Sequence, residues 1–354
     1  MSEPIRSLLA AFDARQPAAL ARAVSVVENH RPGFDELLAA LHPRVGRSRR
    51  IGLTGPPGAG KSTLSTGLTA TYRAAGLTVG VVAVDPTSPF TGGALLGDRI
   101  RMESVALDPG VFIRSMATRG SLGGLAATTR EVADVLDGFG FDRILIETVG
   151  VGQSELDIAR MADTSVVALV PESGDSIQTL KAGLMEIADV FVINKADRPG
   201  ADRLKHEVEL MLGLRMGHAF RSIPAHHGVE MRSSNPARMA RKAAASEEDR
   251  WTPPVLPTVG VKGEGIHDLI GAIDRHFAYL ERSGELRARR RQRLRERVVE
   301  VVEDRVRARL WRDHATNAWI EEKLPELERG TLTPFAAADA LLERSGDLLT
   351  RGRT

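Results

Sequence analysis

Gly55, Gly58 and Gly60, followed by Lys61 and Ser62, set a lysine and a hydroxyl directly behind a glycine-rich turn, in the spacing G-x-x-x-x-G-K-[ST]. Across Gly55-Pro56-Pro57-Gly58-Ala59-Gly60-Lys61-Ser62-Thr63 the glycines let backbone N–H groups close around phosphate oxygens. A helix starting here adds the partial positive charge of its N-terminus. Lys61 can reach the outer phosphates, and the Ser62 hydroxyl suits Mg²⁺. Further along, Asn194-Lys195-Ala196-Asp197 carries the chemistry to choose a base. The Asp197 carboxylate can accept from N1–H and the 2-amino group of guanine, and Lys195 can lie over the ring. Adenine offers neither donor and would leave polar groups unpaired. Together the two motifs predict a site for GTP and GDP.

Five further residues are candidates for the reaction itself. Glu147 opens Glu147-Thr148-Val149-Gly150, in which a carboxylate precedes a glycine by three residues, and would hold Mg²⁺ through water. Asp85, before Pro86-Thr87-Ser88-Pro89, is a second strand-end carboxylate that could serve Mg²⁺ or the attacking water. Asp98 lies in the glycine-rich segment Gly92–Arg99 and is a further metal candidate. Gln153, with Glu155, is placed to orient water in Val151–Glu155. Phosphoryl transfer needs positioning and charge stabilisation more than covalent chemistry, so Lys61, Asp85, Glu147 and Gln153 form the predicted catalytic set. No arginine is evidently placed to neutralise the transition state, which predicts slow intrinsic turnover.

These residues must be presented by elements that the pattern locates. From Arg50 onward short β-branched runs alternate with helical stretches: Ile51–Thr54, Val79–Asp85, Ile144–Glu147, Ser165–Val170, Val190–Asn194 and Val255–Val259. Runs such as Val79, Val81, Val82 and Val84 suit strands covered on both faces. The fold class expected is α/β, a P-loop NTPase with a mostly parallel central sheet flanked by helices. Before it, Ile5, Leu8, Leu9 and Phe12, then Leu20, Ala23, Val24 and Val27, recur at helical spacing. After Gly284 a stripe of Leu294, Val298, Val301, Val302, Val306 and Leu310 marks one long helix. A second helix is expected near Trp319–Leu327, and Thr333-Pro334 signals the start of a third. The domain boundaries expected are a helical extension over 1–45, a nucleotide-binding domain over 46–283 and a helical arm over 284–354. Ala225–Pro254 reads as a polar excursion with one helix across Met239–Ala245.

Composition excludes several classes. With no cysteine in 354 residues, disulfides and thiolate metal sites are impossible. The 48 basic and 46 acidic residues leave a net charge of +2, a balance that does not call for a nucleic-acid partner, and none is expected. No apolar run reaches the roughly 18 residues of a membrane span, and no secretory signal opens the chain, so a cytoplasmic protein without a membrane partner is expected.

The strings GPPGAGKS at Gly55–Ser62, VDPTSP at Val84–Pro89, GDRIRM at Gly97–Met102, ETVGVGQSE at Glu147–Glu155 and NKAD at Asn194–Asp197 resemble the MeaB/ArgK family of G proteins, which includes the methylmalonic aciduria type A proteins. The resemblance implies a SIMIBI-class GTPase that serves as chaperone to an adenosylcobalamin-dependent acyl-CoA mutase, most often methylmalonyl-CoA mutase. It also implies a homodimer through the C-terminal helices. By the same matching Ser62, Asp85, Asp98 and Glu147 surround Mg²⁺, and Gly92–Met102 and Gly150–Glu155 are the switch segments. Where the family usually has Ser-Ala for a guanine contact, this chain reads Thr258-Val259-Gly260-Val261, and the Gly260 N–H is the donor left for the guanine carbonyl. Two other classes stand beside this one: a small-molecule kinase of the older arginine/ornithine transport assignment, and a metal-delivery GTPase of the hydrogenase or urease type.

Overall fold

In the computed structural model residues 1–86, 102–118, 124–148, 154–171, 182–215 and 250–346 are described, with side chains at 85–86, 117–118, 124–127, 154–156, 182 and 215 left aside. Asp98, Gln153 and the helix expected across Met239–Ala245 lie outside the described residues, as do most of the two switch segments. Asp85 is described through its backbone alone.

Period-two alternation builds the sheet. In β2 (Val79–Pro86) Val79 and Val81 enter one core while Val82 and Val84 enter another. In β4 (Arg143–Thr148) Leu145 faces the first and Ile144 and Ile146 the second. β1 (Arg49–Thr54), β5 (Thr164–Leu169), β6 (Val190–Asn194) and β7 (Val255–Thr258) complete the strands expected from the sequence. A seventh strand, β3 (Val111–Thr118), was not expected. It pairs with β2 at the sheet edge, and Arg114 in its middle reaches out to Glu28. All pairings are parallel, in the order β3-β2-β4-β1-β5-β6-β7. β1 therefore lies at the centre, where the order of strands reverses. Ligands in open α/β sheets bind outside the carboxyl ends of the strands at such a point.

Helices cover both faces. On one side α4 (Lys61–Ala74) and α10 (Ile266–Ser283) bury Leu64, Leu68, Ile266, Leu269 and Ile273 against Ile51, Leu53 and Val166. Between them in the chain run α5 (Glu103–Ala106), α6 (Gly124–Phe139), α7 (Ser154–Met161), α8 (Ala182–Ile187) and α9 (Ala201–Arg215). Gly52 of β1 lets α7 approach closely, because a Cβ there would lie 2.4 Å from Ile158 Cγ1. The N-terminal helices α1 (Glu3–Asp13), α2 (Pro17–Glu28) and α3 (Phe34–Leu41) share one core with α6. The entry to β1 is fixed by Asp137 of α6, which accepts from the N–H groups of Gly46, Arg47 and Ser48. Buried Arg50 bonds Asp134 and Asp137 at 2.7 and 2.9 Å, and these carboxylates raise its pKa against the opposing effect of burial.

The chain divides into two compact units, Met1–Arg289 and Arg290–Thr354. The second begins within α11 (Glu285–Arg312) and continues through α12 (His314–Glu328) and α13 (Pro334–Arg344). Its helices carry side-chain caps: Asp313 accepts from Thr316 N at 2.8 Å, and Thr333 from Ala336 N at 3.2 Å.

Candidate functional site

β1 ends at Thr54, and the chain turns through Gly55 at φ +134°. A Cβ at Gly55 would lie 2.1 Å from the Ala168 carbonyl oxygen of β5, so only glycine fits. Gly58 (φ +76°) has open space where a side chain would stand, as a cradle for a ligand requires. Gly60 (φ +82°) is the N-cap of α4 and makes no side-chain cap, and a helix N-terminus of this kind favours an anion. Lys61, first residue of α4, is buried and donates from Nζ to the carbonyls of Gly55 (2.7 Å) and Pro56 (3.0 Å). The loop thus closes on its own lysine.

Glu147 lies on the face of β4 that Leu145 also uses, in register with Leu53 of β1 and Ala83 of β2. It is 1% exposed. Burying a carboxylate costs free energy unless donors meet it. Ser62 donates to Oε1 at 2.6 Å and Ser65 to Oε2 at 2.9 Å. Next to it the Thr148 hydroxyl lies 3.0 Å from that of Thr54, tying the ends of β4 and β1. Hydroxyl and carboxylate are hard oxygen donors of the kind Mg²⁺ takes, so the residues fit that ion. Among the described residues no group of three or more His, Asp or Glu is arranged to hold a metal ion.

On the other flank, Asn194 at the end of β6 acts as a clasp. Its Nδ2 donates to the Ala59 carbonyl at 2.8 Å, while Oδ1 accepts from Thr258 Oγ1 and Gly260 N–H, each at 3.1 Å. One amide thus joins the phosphate loop to the turn after β7. The Gly260 N–H expected to meet a guanine carbonyl is engaged by Asn194 here. Lys195 adopts φ +57°, unusual for a side chain with a Cβ, and the Ala196 N–H donates to the Thr258 carbonyl. Asp197 reaches the surface, 3.5 Å from Lys262 Nζ. Val259 is held by an N–H bond to the Glu264 carbonyl, and the Val261 side chain is exposed. Thr63 packs beside Gly260: a Cβ on that glycine would come within 3.3 Å of Thr63 Cγ2.

The fold thus brings Gly55–Thr63, Glu147, Asn194–Asp197 and Val259–Val261 to the carboxyl ends of β1, β4, β6 and β7. β2 carries the Asp85 backbone to the same edge, opposite Ala117 of β3. Sequence reading missed Ser65 and treated Asn194 only as part of a base-reading motif. Ser65 had one signal: it stands three residues after Ser62 and shares its helix face.

The family model for methylmalonyl-CoA mutase-associated GTPase MeaB matches residues 20–315. A Pyrococcus horikoshii relative that carries a GTPase designation is 43% identical, over 97% of this chain and 98% of its own. The mitochondrial methylmalonic aciduria type A homolog of Mus musculus is 34% identical over 93% of this chain and 76% of its own. Among solved structures, that of an LAO/AO transport system kinase superposes with a TM-score of 0.66 at 27% identity, over 97% of this chain and 98% of its own. The chain belongs to the MeaB family of methylmalonyl-CoA mutase-associated GTPases, and is a GTPase with the P-loop fold.

Proposed function

We propose that this GTPase is a nucleotide-gated chaperone of an adenosylcobalamin-dependent acyl-CoA mutase, with methylmalonyl-CoA mutase as the client. It binds the mutase and uses GTP to control loading of the cofactor and to protect or reactivate the enzyme. The family's association with that mutase and the likeness to the mouse protein support the client. The observation that carries the switch is the hydrogen-bonded network around the phosphate loop, where Asn194 holds Ala59 and Glu147 holds Ser62. A ligand that moves this loop acts at once on the ends of β4, β6 and β7.

In this reading the N–H groups of Gly58 to Ser62 cradle the phosphates, and Lys61 shares its ammonium between them and the developing charge of the transferring group. Asp197 fixes guanine, with Lys195 over the ring and Val259–Val261 closing the far side. Mg²⁺, held at Ser62 and through water by Glu147, with Asp85 and Asp98 as its proposed further carboxylates, would neutralise charge on the phosphates. Gln153 orients the water. Turnover by the chain alone is slow, and the C-terminal helices pair two copies.

The test mixes the purified chain with apo methylmalonyl-CoA mutase and adenosylcobalamin under GDP, GTP and a non-hydrolysable GTP analogue. A complex whose cofactor uptake differs between the nucleotides is expected. Cofactor uptake unchanged by the chain in every nucleotide state would sink the chaperone reading. The name of the solved transport-system kinase keeps a phosphoryl-acceptor reading in view. Release of all labelled γ-phosphate to water, with arginine or ornithine present, is the outcome expected against it.

A further inference from the structure

Two pairs of hydroxyls on helix α4 are used differently. Thr66 and Thr71 donate to the carbonyls four residues back, at Ser62 and Gly67, which is the usual local bond of a helical hydroxyl. Ser62 and Ser65 instead donate across to β4, one to each oxygen of the same buried carboxylate, Glu147. Ser65 is 0% exposed and lies beside Leu64, Leu68 and the rest of an apolar core. A buried hydroxyl at a core-facing position costs free energy unless it is bonded, and this one has a charged partner.

We propose that Ser65 is a positioning residue for Glu147, and through it sets how tightly Mg²⁺ is retained with the nucleotide. The inference rests on the reading that Ser62 and Glu147 hold the cation. A serine hydroxyl that offers a lone pair to a metal keeps its proton, and that proton needs an acceptor on the side away from the metal. Glu147 Oε1, 2.6 Å from Ser62 Oγ, is that acceptor. Anchoring Oε2 on Ser65 stops the carboxylate from turning, so Ser62 presents its lone pairs toward the phosphates. Outer-shell partners of this kind govern metal affinity without touching the metal. The position is specified locally, because three residues along a helix return to the same face.

The experiment measures binding of a fluorescent GDP analogue to the full chain, first in EDTA and then across a Mg²⁺ titration. Ser65→Ala, Ser62→Ala, Glu147→Gln and the double variant Ser65→Ala/Glu147→Gln are compared with the unaltered protein. In Ser65→Ala the affinity in EDTA stays within about twofold, while the Mg²⁺ midpoint rises on the order of tenfold. In the Glu147→Gln background the second change adds nothing to the midpoint. Ser65→Cys, close to serine in size and a weak donor, should behave as Ser65→Ala does and serves if alanine unfolds the core. A midpoint unmoved in Ser65→Ala, or Ser65→Cys in its stead, but raised in Ser62→Ala and Glu147→Gln, overturns the inference alone, as does an additive double variant. Midpoints unmoved in all variants overturn the metal-site reading beneath it.

Discussion

Asp197 presents its carboxylate at the surface, 3.5 Å from Lys262, with both side chains about half exposed. An exposed pair of this kind contributes little to stability, so a base that brings two N–H donors competes with it easily. Exchanging one carboxylate oxygen for an amide donor reverses half the pattern. Asp197→Asn should then lose guanine affinity by on the order of 100-fold and gain xanthine nucleotides, whose 2-carbonyl accepts where guanine donates. Competition of GDP and XDP for the site measures this, and an unchanged preference for guanine would place the base elsewhere. The residue scale is also where sequence was most legible. Spacing alone marks Gly55, Lys61 and Asp197 as candidates, because phosphate and base chemistry favour those types in that order. It does not reveal that the Asn194 amide is committed to Ala59, Thr258 and Gly260, since those partners lie 135, 64 and 66 residues away.

Elements hold these residues only if they pack at the right distance, and two positions test that. Gly52 faces α7, where a Cβ would meet Ile158 Cγ1 at 2.4 Å and Ala162 Cβ at 2.9 Å. Neither neighbour is a flexible tip, so Gly52→Ala should overpack the interface and lower stability by about 1–3 kcal/mol, read from denaturant unfolding. Tyr72, near the end of α4, is buried, and burial with help from the Asp274 carboxylate pushes its hydroxyl up to about 12, although Arg143 opposes them. The folded chain therefore keeps this proton above the pKa of about 10 in the unfolded chain. Its contribution is full below pH 10 and falls by about 1.4 kcal/mol per unit as pH rises toward 12. Tyr72→Phe should flatten that part of the stability curve, and an unchanged alkaline slope would deny the burial its role. At this scale pattern located six strands, since each is a nearly unbroken apolar run between helices. β3 escaped because an edge strand needs no such run: Arg114 interrupts it and pairs with Glu28 of α2. The same edge position explains why its loss from the reading left the placement of the site intact.

At the scale of the whole molecule the unit Arg290–Thr354 differs from the first in what it buries. Along α11, Leu294, Val298, Val302 and Val306 recur every four residues and are all exposed, Val298 by 64%, while Leu310 at the far end is buried. Each step of four advances 400° against a turn of 360°, so the four form a slowly winding stripe rather than scattered apolar positions. Surrounding arginines and glutamates keep the remaining faces soluble, which concentrates the cost of exposure on that stripe. A second copy of the same helix offers a complementary apolar surface without new chemistry, and twofold pairing makes such a patch its own partner. Val298→Glu together with Val302→Glu would set carboxylates against their symmetry mates in such a seam. The expected outcome is a monomer in sedimentation at concentrations where the proposed dimer of the unaltered chain forms. Because Gly55–Thr63 and Glu147 belong to the other unit, GTP hydrolysis per chain should stay within about twofold while dimerisation is lost. A variant that remains dimeric would show that the stripe is covered by something other than its own copy.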